Sequence, residues 1–164
     1  MERQTIISVI GTSTASPEQY ETAREVGRLL AGAGCVVVCG GRGGVMEGVC
    51  RGVAEGGGVS VGLLPGGVEE ANPYVTIPLS TGLGEVRNVA VVSAGEAVVS
   101  IGGAFGTLSE IGFALKLGKT VVALGTWEVR ESPDAEIPLL PAATPYEAVE
   151  LALRSAGRNR DGGR

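Results

Sequence analysis

Gly102, Gly103, Gly106, Thr107 and Glu110 form the stretch of this chain best suited to chemistry. They follow an apolar run that ends at Ile101 and lead into a helical pattern. A buried parallel strand therefore runs into a glycine-rich turn and the first turn of a helix. Such a turn presents backbone N–H groups at the positive end of a helix dipole, which favours an anion, usually a phosphate. Gly102 and Gly103 permit a sharp bend, and Gly106 permits close approach at the helix start. Thr107 adds a hydroxyl, and Glu110, one turn further on, faces the same mouth. The pattern points to a binder or hydrolase of a small phosphorylated molecule.

Two other turns can contribute. Gly11, Thr12 and Ser13 offer amides and hydroxyls after the first apolar run. Gly40, Gly41, Gly43 and Gly44 surround Arg42 after the second, and Met46 follows. This second turn is not a dinucleotide fingerprint, because the third glycine of G-x-G-x-x-G would have to stand at Met46. Gly118-Lys119-Thr120 ends like a phosphate-binding P-loop, but Phe113 occupies the place of its first glycine, and the triplet precedes a strand instead of following one. Arg87, near the start of the preceding helix, reads on its own as a surface arginine.

Several chemistries are excluded. The chain has no histidine, which removes imidazole acid–base catalysis and histidine-ligated metals. Cys35, Cys39 and Cys50 are an odd set without paired spacing, which argues against a disulfide framework. Cys35 and Cys39 flank a valine run and read as strand core. No metal site is expected, since zinc needs more ligands than remain. The only lysines, Lys116 and Lys119, fall at the far end of a helix from the glycine turns. Neither is placed to hold pyridoxal phosphate as an imine, so lysine decarboxylation is not expected. A net charge of −5 argues against a nucleic-acid partner. No leader segment and no apolar run of ~20 residues is visible, so a cytoplasmic chain without a membrane partner is expected.

The elements that must position these residues follow from length and pattern. A chain of 164 residues suits one domain. Glycine supplies 28 of them, against an ordinary share of ~7%, and the glycines cluster where strands should end. Strands are expected at Thr5 to Ile10, Cys35 to Cys39, Val59 to Leu64, Tyr74 to Pro78, Ala97 to Ile101 and Thr120 to Leu124. Helices are expected at Pro17 to Gly32, Val45 to Glu55, Leu83 to Ala94, Phe105 to Leu117 and Thr144 to Arg154. Ser16, Pro17 and Gln19 carry a capping-box signature. Residues 155–164 are polar and glycine-rich, so a disordered tail is expected after a domain spanning 1–154. The rhythm is that of an α/β protein: a single doubly wound Rossmann-like domain, mostly parallel, with helices on both faces. The three glycine turns then lie at one edge of the sheet and converge on one ligand.

These residues resemble the LOG ("lonely guy") family, phosphoribohydrolases of nucleoside 5′-monophosphates once described as lysine decarboxylases. Gly102, Gly103, Gly106, Thr107 and Glu110 match its Gly-Gly-x-Gly-Thr-x-x-Glu motif with one extra residue before Gly106. Arg87 matches the family's upstream arginine, and Gly40, Gly41, Gly44 and Met46 match most of its earlier glycine turn. Ile101 replaces the motif's proline, and Asn88 replaces the lysine after the arginine. These departures resemble more closely a sister branch, the molybdenum cofactor carrier proteins. The resemblance implies a binding or carrier protein for a phosphorylated nucleotide-like or pterin-like molecule, with molybdenum cofactor or a nucleotide as ligand and no other cofactor required. The alternative it implies is a hydrolase freeing base and ribose 5-phosphate, with Arg87 stabilising charge and Glu110 orienting ribose or activating water. Glu69, Glu70 and Glu85 are then the candidate proton donors. A homodimer or larger assembly is also implied, through the helix holding Arg87 and the helix holding Phe113, Ala114 and Leu117.

Overall fold

The computed structural model describes residues 3–161. β1 (Ile6–Gly11) leads to α1 (Pro17–Gly32), β2 (Val36–Cys39) to α2 (Val45–Glu55), and β3 (Val59–Leu64) through a single 3-10 turn (Val68–Glu70) to β4 (Ile77–Ser80). A second 3-10 turn (Gly84–Val86) opens α3 (Arg87–Ala94). β5 (Ala97–Ile101), α4 (Phe105–Lys116), β6 (Val121–Leu124), β7 (Leu140–Pro141) and α5 (Pro145–Asp161) complete the chain. The strands form one sheet in the order β4-β3-β2-β1-β5-β6-β7, and every pair is parallel.

Helices cover both faces. α1, α2 and α5 bury Val26, Leu30, Val49, Val53 and Ala152 against one. α3 and α4 bury Val91, Val92, Ile111 and Ala114 against the other. From β1 the chain works outward to β4, then returns to β1's other side as β5. Strand order therefore reverses between β1 and β5, and the crevice beyond their carboxyl ends is the position where such sheets take ligands.

Local chemistry explains the boundaries. Ser16 Oγ accepts from Gln19 N at 3.1 Å, and Gln19 Oε1 accepts from Ser16 N at 3.0 Å, which is the expected capping box at the start of α1. β4 begins later than Tyr74, because Asn72 Oδ1 accepts from Tyr74 N at 3.0 Å and holds this segment as a turn. β7 is two residues long, too short for any alternation to show. α5 continues past the expected stop at Arg154 as far as Asp161, in place of the disordered tail expected from Ser155. Ala148, Ala152 and Ala156 recur every fourth residue and are all buried, so the helix has a core face beyond Arg154. Residues 162–164 of the expected tail lie outside the described residues. No helix among the described residues is long and apolar enough to cross a membrane.

The glycine excess has a second cause besides turns. α1 and α2 meet backbone to backbone at Gly27, Gly48 and Gly52. A Cβ on Gly27 would run into the Val49 carbonyl, one on Gly52 into the Arg24 carbonyl, and one on Gly48 would come to 2.7 Å from the Tyr20 carbonyl. Not even a methyl group fits between these two helices.

Candidate functional site

The turns after β1 and β2 are built as one unit. Val45 N donates to the Thr12 carbonyl at 3.0 Å. Gly44 stands at φ +65°, and a Cβ there would strike the carbonyls of Thr12 and Ser13, so only glycine serves. Gly44→Ala is expected to cost ~2–4 kcal/mol of stability and to weaken anion binding with it, because it drives the two turns apart. Urea unfolding checks this, and a midpoint equal to the parent's would contradict it. Thr12 closes its own turn, with Oγ1 donating to the Thr14 carbonyl and accepting from Thr14 N, both at 3.1 Å. Asn72 fastens the second turn from outside: its Nδ2 donates to the carbonyls of Gly41 at 3.2 Å and Arg42 at 2.9 Å. No spacing in the sequence marks Asn72 for this task.

A cavity of about 190 Å³ lies at the carboxyl ends of β1 and β5. Gly11, Thr12 and Ser13 line one wall, with Arg42 and Met46 beside them. The start of α4 supplies Gly106, Thr107 and Glu110, and the start of α3 supplies Arg87 and Asn88. Six of the expected ligand-binding glycines do not line the cavity. Gly43 and Gly44 pack against turn one, and Gly41 lies over Gly62 and Leu64. Gly40 backs the cavity wall: a Cβ there would come to 2.7 Å from Met46 Sδ and 3.0 Å from Arg87 Nη2. Gly102 and Gly103 turn the other way, toward Gln19 and Trp127. Glu85 also lines the cavity, whereas Glu69 and Glu70 do not.

The start of α4 is open to an anion. Ala104 at its N-cap has no side-chain acceptor, so the first-turn amides are uncapped. Thr107 Oγ1 accepts from Ala104 N at 3.4 Å, which leaves its proton for the cavity. Beside the turn, Trp127 Nε1 donates to the Ala104 carbonyl at 3.1 Å, and its ring stacks on Phe105 with centroids 6.0 Å apart.

Charge inside the cavity is uneven. Arg87 is only 4% exposed, makes no ion pair among the described residues, and leaves its Nε without a hydrogen-bond partner. Glu110, 7% exposed, does not neutralise it. Burial pushes the Glu110 carboxyl up to about 8; Arg87 opposes that rise and Glu85 adds to it. At pH 7 Glu110 is therefore mostly a neutral hydrogen-bond donor. Arg42, at the rim, is already balanced by Glu85 at 3.6 Å and Glu70 at 3.9 Å. A buried charge without a partner is costly, and here the fold retains one in the same cavity as an uncapped helix start. Behind the second turn, Cys39 and Cys50 are buried with their sulfurs 3.5 Å apart. The neighbouring Cys50 and burial push the Cys39 thiol up, so it stays neutral and offers the cavity no nucleophile.

A parallel sheet with its ligand crevice at the reversal of strand order defines a Rossmann-like small-molecule-binding domain. The chain belongs to the SLOG cluster4 family, which it matches over residues 4–149. It is 39% identical over 150 residues to a protein of Archaeoglobus fulgidus described only as uncharacterized, covering 92% of this chain and 95% of that one. Its fold is that of the molybdenum cofactor binding protein from Rippkaea orientalis, with TM-score 0.85, 32% identity, and 94% and 98% of the two chains covered. The molybdenum cofactor carrier protein of Chlamydomonas reinhardtii is similar, with TM-score 0.81, 32% identity, and 94% and 99% covered. The resemblance read from the glycine turns thus holds, and it holds on the carrier side.

Proposed function

We propose that this chain is a binding or carrier protein for a phosphorylated, pterin-like molecule of the molybdenum cofactor class, and that it works in the cytoplasm without a nucleic-acid partner. The observation that carries this reading is the buried, unpaired Arg87 in the same cavity as the uncapped start of α4. A phosphate placed between them gains charge-assisted hydrogen bonds from the guanidinium and from the first-turn amides. It would also discharge the cost of holding Arg87 alone. The neutral Glu110 carboxyl donates a further hydrogen bond. A ligand of this class exceeds the cavity, because drug-sized sites occupy roughly 300–1,000 Å³. Its phosphate end lies within, and its ring lies over the cavity mouth.

Glu110 also bears on the hydrolase alternative. A carboxyl that is protonated at neutral pH does not activate water as a base there, though it could protonate a leaving group. Incubation with AMP and GMP, followed by chromatography for free base, tests the two readings. The carrier reading expects binding without base release. Release that disappears in Glu110→Gln would replace it with the hydrolase. Self-association belongs to the same proposal. Phe113 of α4 and Leu117 just after it are exposed and available for it, whereas Ala114 is buried in the protomer's own core and is no interface residue. Sedimentation at micromolar concentration is expected to give a dimer or larger, and a monomer would contradict it.

A further inference from the structure

Asn88 follows Arg87 on α3 and lines the same cavity. It is 6% exposed, and its buried Oδ1 has no hydrogen-bond partner. An unpaired buried amide oxygen is costly, and native folds leave few such atoms. No neighbouring donor relieves it: Arg87, beside it, leaves its own Nε unpartnered, and Arg42 is engaged with Glu70 and Glu85 at the rim. The two successive side chains therefore ask for different things. Arg87 lacks an acceptor, and Asn88 lacks a donor. A phosphate dianion supplies only acceptors, so it satisfies the first and not the second.

We propose that Asn88 is a specificity residue that accepts a hydrogen bond from an O–H or N–H group carried beside the ligand's phosphate, so that the site selects organic phosphomonoesters with such a donor over plain phosphates. This deepens the proposed function and rests on its anion site. The cavity's size keeps the donor close to the phosphate, on a hydroxyl of a sugar or polyol or on the N–H edge of a reduced pterin. A lysine at this position would add a second cation and serve phosphate alone. An amide adds no charge and reads the group next to it.

Calorimetry at pH 7.5 with three monoesters tests this. Methyl phosphate carries no further donor at that pH, ribose 5-phosphate adds hydroxyls, and 6-hydroxymethyl-dihydropterin phosphate adds ring N–H groups. The parent is expected to prefer one of the latter two over methyl phosphate by ~10-fold, the effect of one hydrogen bond to a buried group. Which one it prefers identifies the donor. Asn88→Leu is expected to lose that preference and to melt no lower, since it removes an unpaired carbonyl. Preference retained in Asn88→Leu overturns the assignment, as does an equal loss for all three esters. A parent that binds methyl phosphate but prefers neither larger ester overturns it and leaves the anion site standing. A parent that binds none of the three overturns both.

Discussion

Glu110→Gln is expected to make the protein more stable than the parent at pH 9, by on the order of 5 kcal/mol, and to differ little from it at pH 5. The Glu110 carboxyl ordinarily titrates at 4.5 and is pushed up to about 8 in the fold, chiefly by burial. Between those values the native state holds a proton that the unfolded chain has released. Stability from this group is thus full below pH 4.5, declines as pH rises toward 8, and is level above it. At ~1.4 kcal/mol per unit, the loss is a large share of the ~5–15 kcal/mol that typical domains possess. Glutamine keeps the shape and the donor of the neutral acid and cannot ionise. The same titration governs binding. In the parent, affinity for methyl phosphate should fall as pH rises through about 8, where a carboxylate would face the anion beside Glu85. In Glu110→Gln it should not. Urea midpoints and calorimetry across pH 5–9 measure both, and parallel pH profiles for the two proteins would refute the argument.

Arg87→Met should lower affinity for methyl phosphate by ~100-fold while leaving the protein folded. The guanidinium makes no ion pair among the described residues, so its removal strands no carboxylate. Methionine has a similar stem and carries no charge to hold without a partner. The thermal midpoint is therefore expected to hold or rise. The lost affinity corresponds to one or two charge-assisted hydrogen bonds of ~1.5–3 kcal/mol each. Unchanged affinity would remove Arg87 from the site and, with it, the case for an anion there.

The fold was legible because its signals are local. The Ser16 capping box, the five apolar strand runs that precede glycine turns or polar loops, and the glycine stops after α1 and α2 each report on a few neighbouring residues. Arg87 was legible only through resemblance, since no local pattern announces that a helix-start arginine will be buried and unpaired, whereas Glu110 followed from its spacing after the glycine turn. The glycine pair at 102–103 misled because glycines that permit a turn do not say which way it faces; the Gln19 and Trp127 side chains decide that. Asn72 and the role of Asn88 were illegible for the same reason. Their partners come from distant elements, and an unsatisfied atom is a property of an environment and not of a spacing. The α1–α2 glycines were hidden by the turns, which already accounted for a high glycine content.

That helix contact has a mechanical consequence. α1 begins just beyond the turn after β1, and α2 begins at the turn after β2. With their backbones touching at Gly27, Gly48 and Gly52, sliding one past the other would drive main chain into main chain. The two turns behave as a fixed jaw. Opening that admits or releases a guest is therefore expected on the side of α3, which follows the short 3-10 turn Gly84–Val86 and has no such glycine-to-backbone interlock among the described residues.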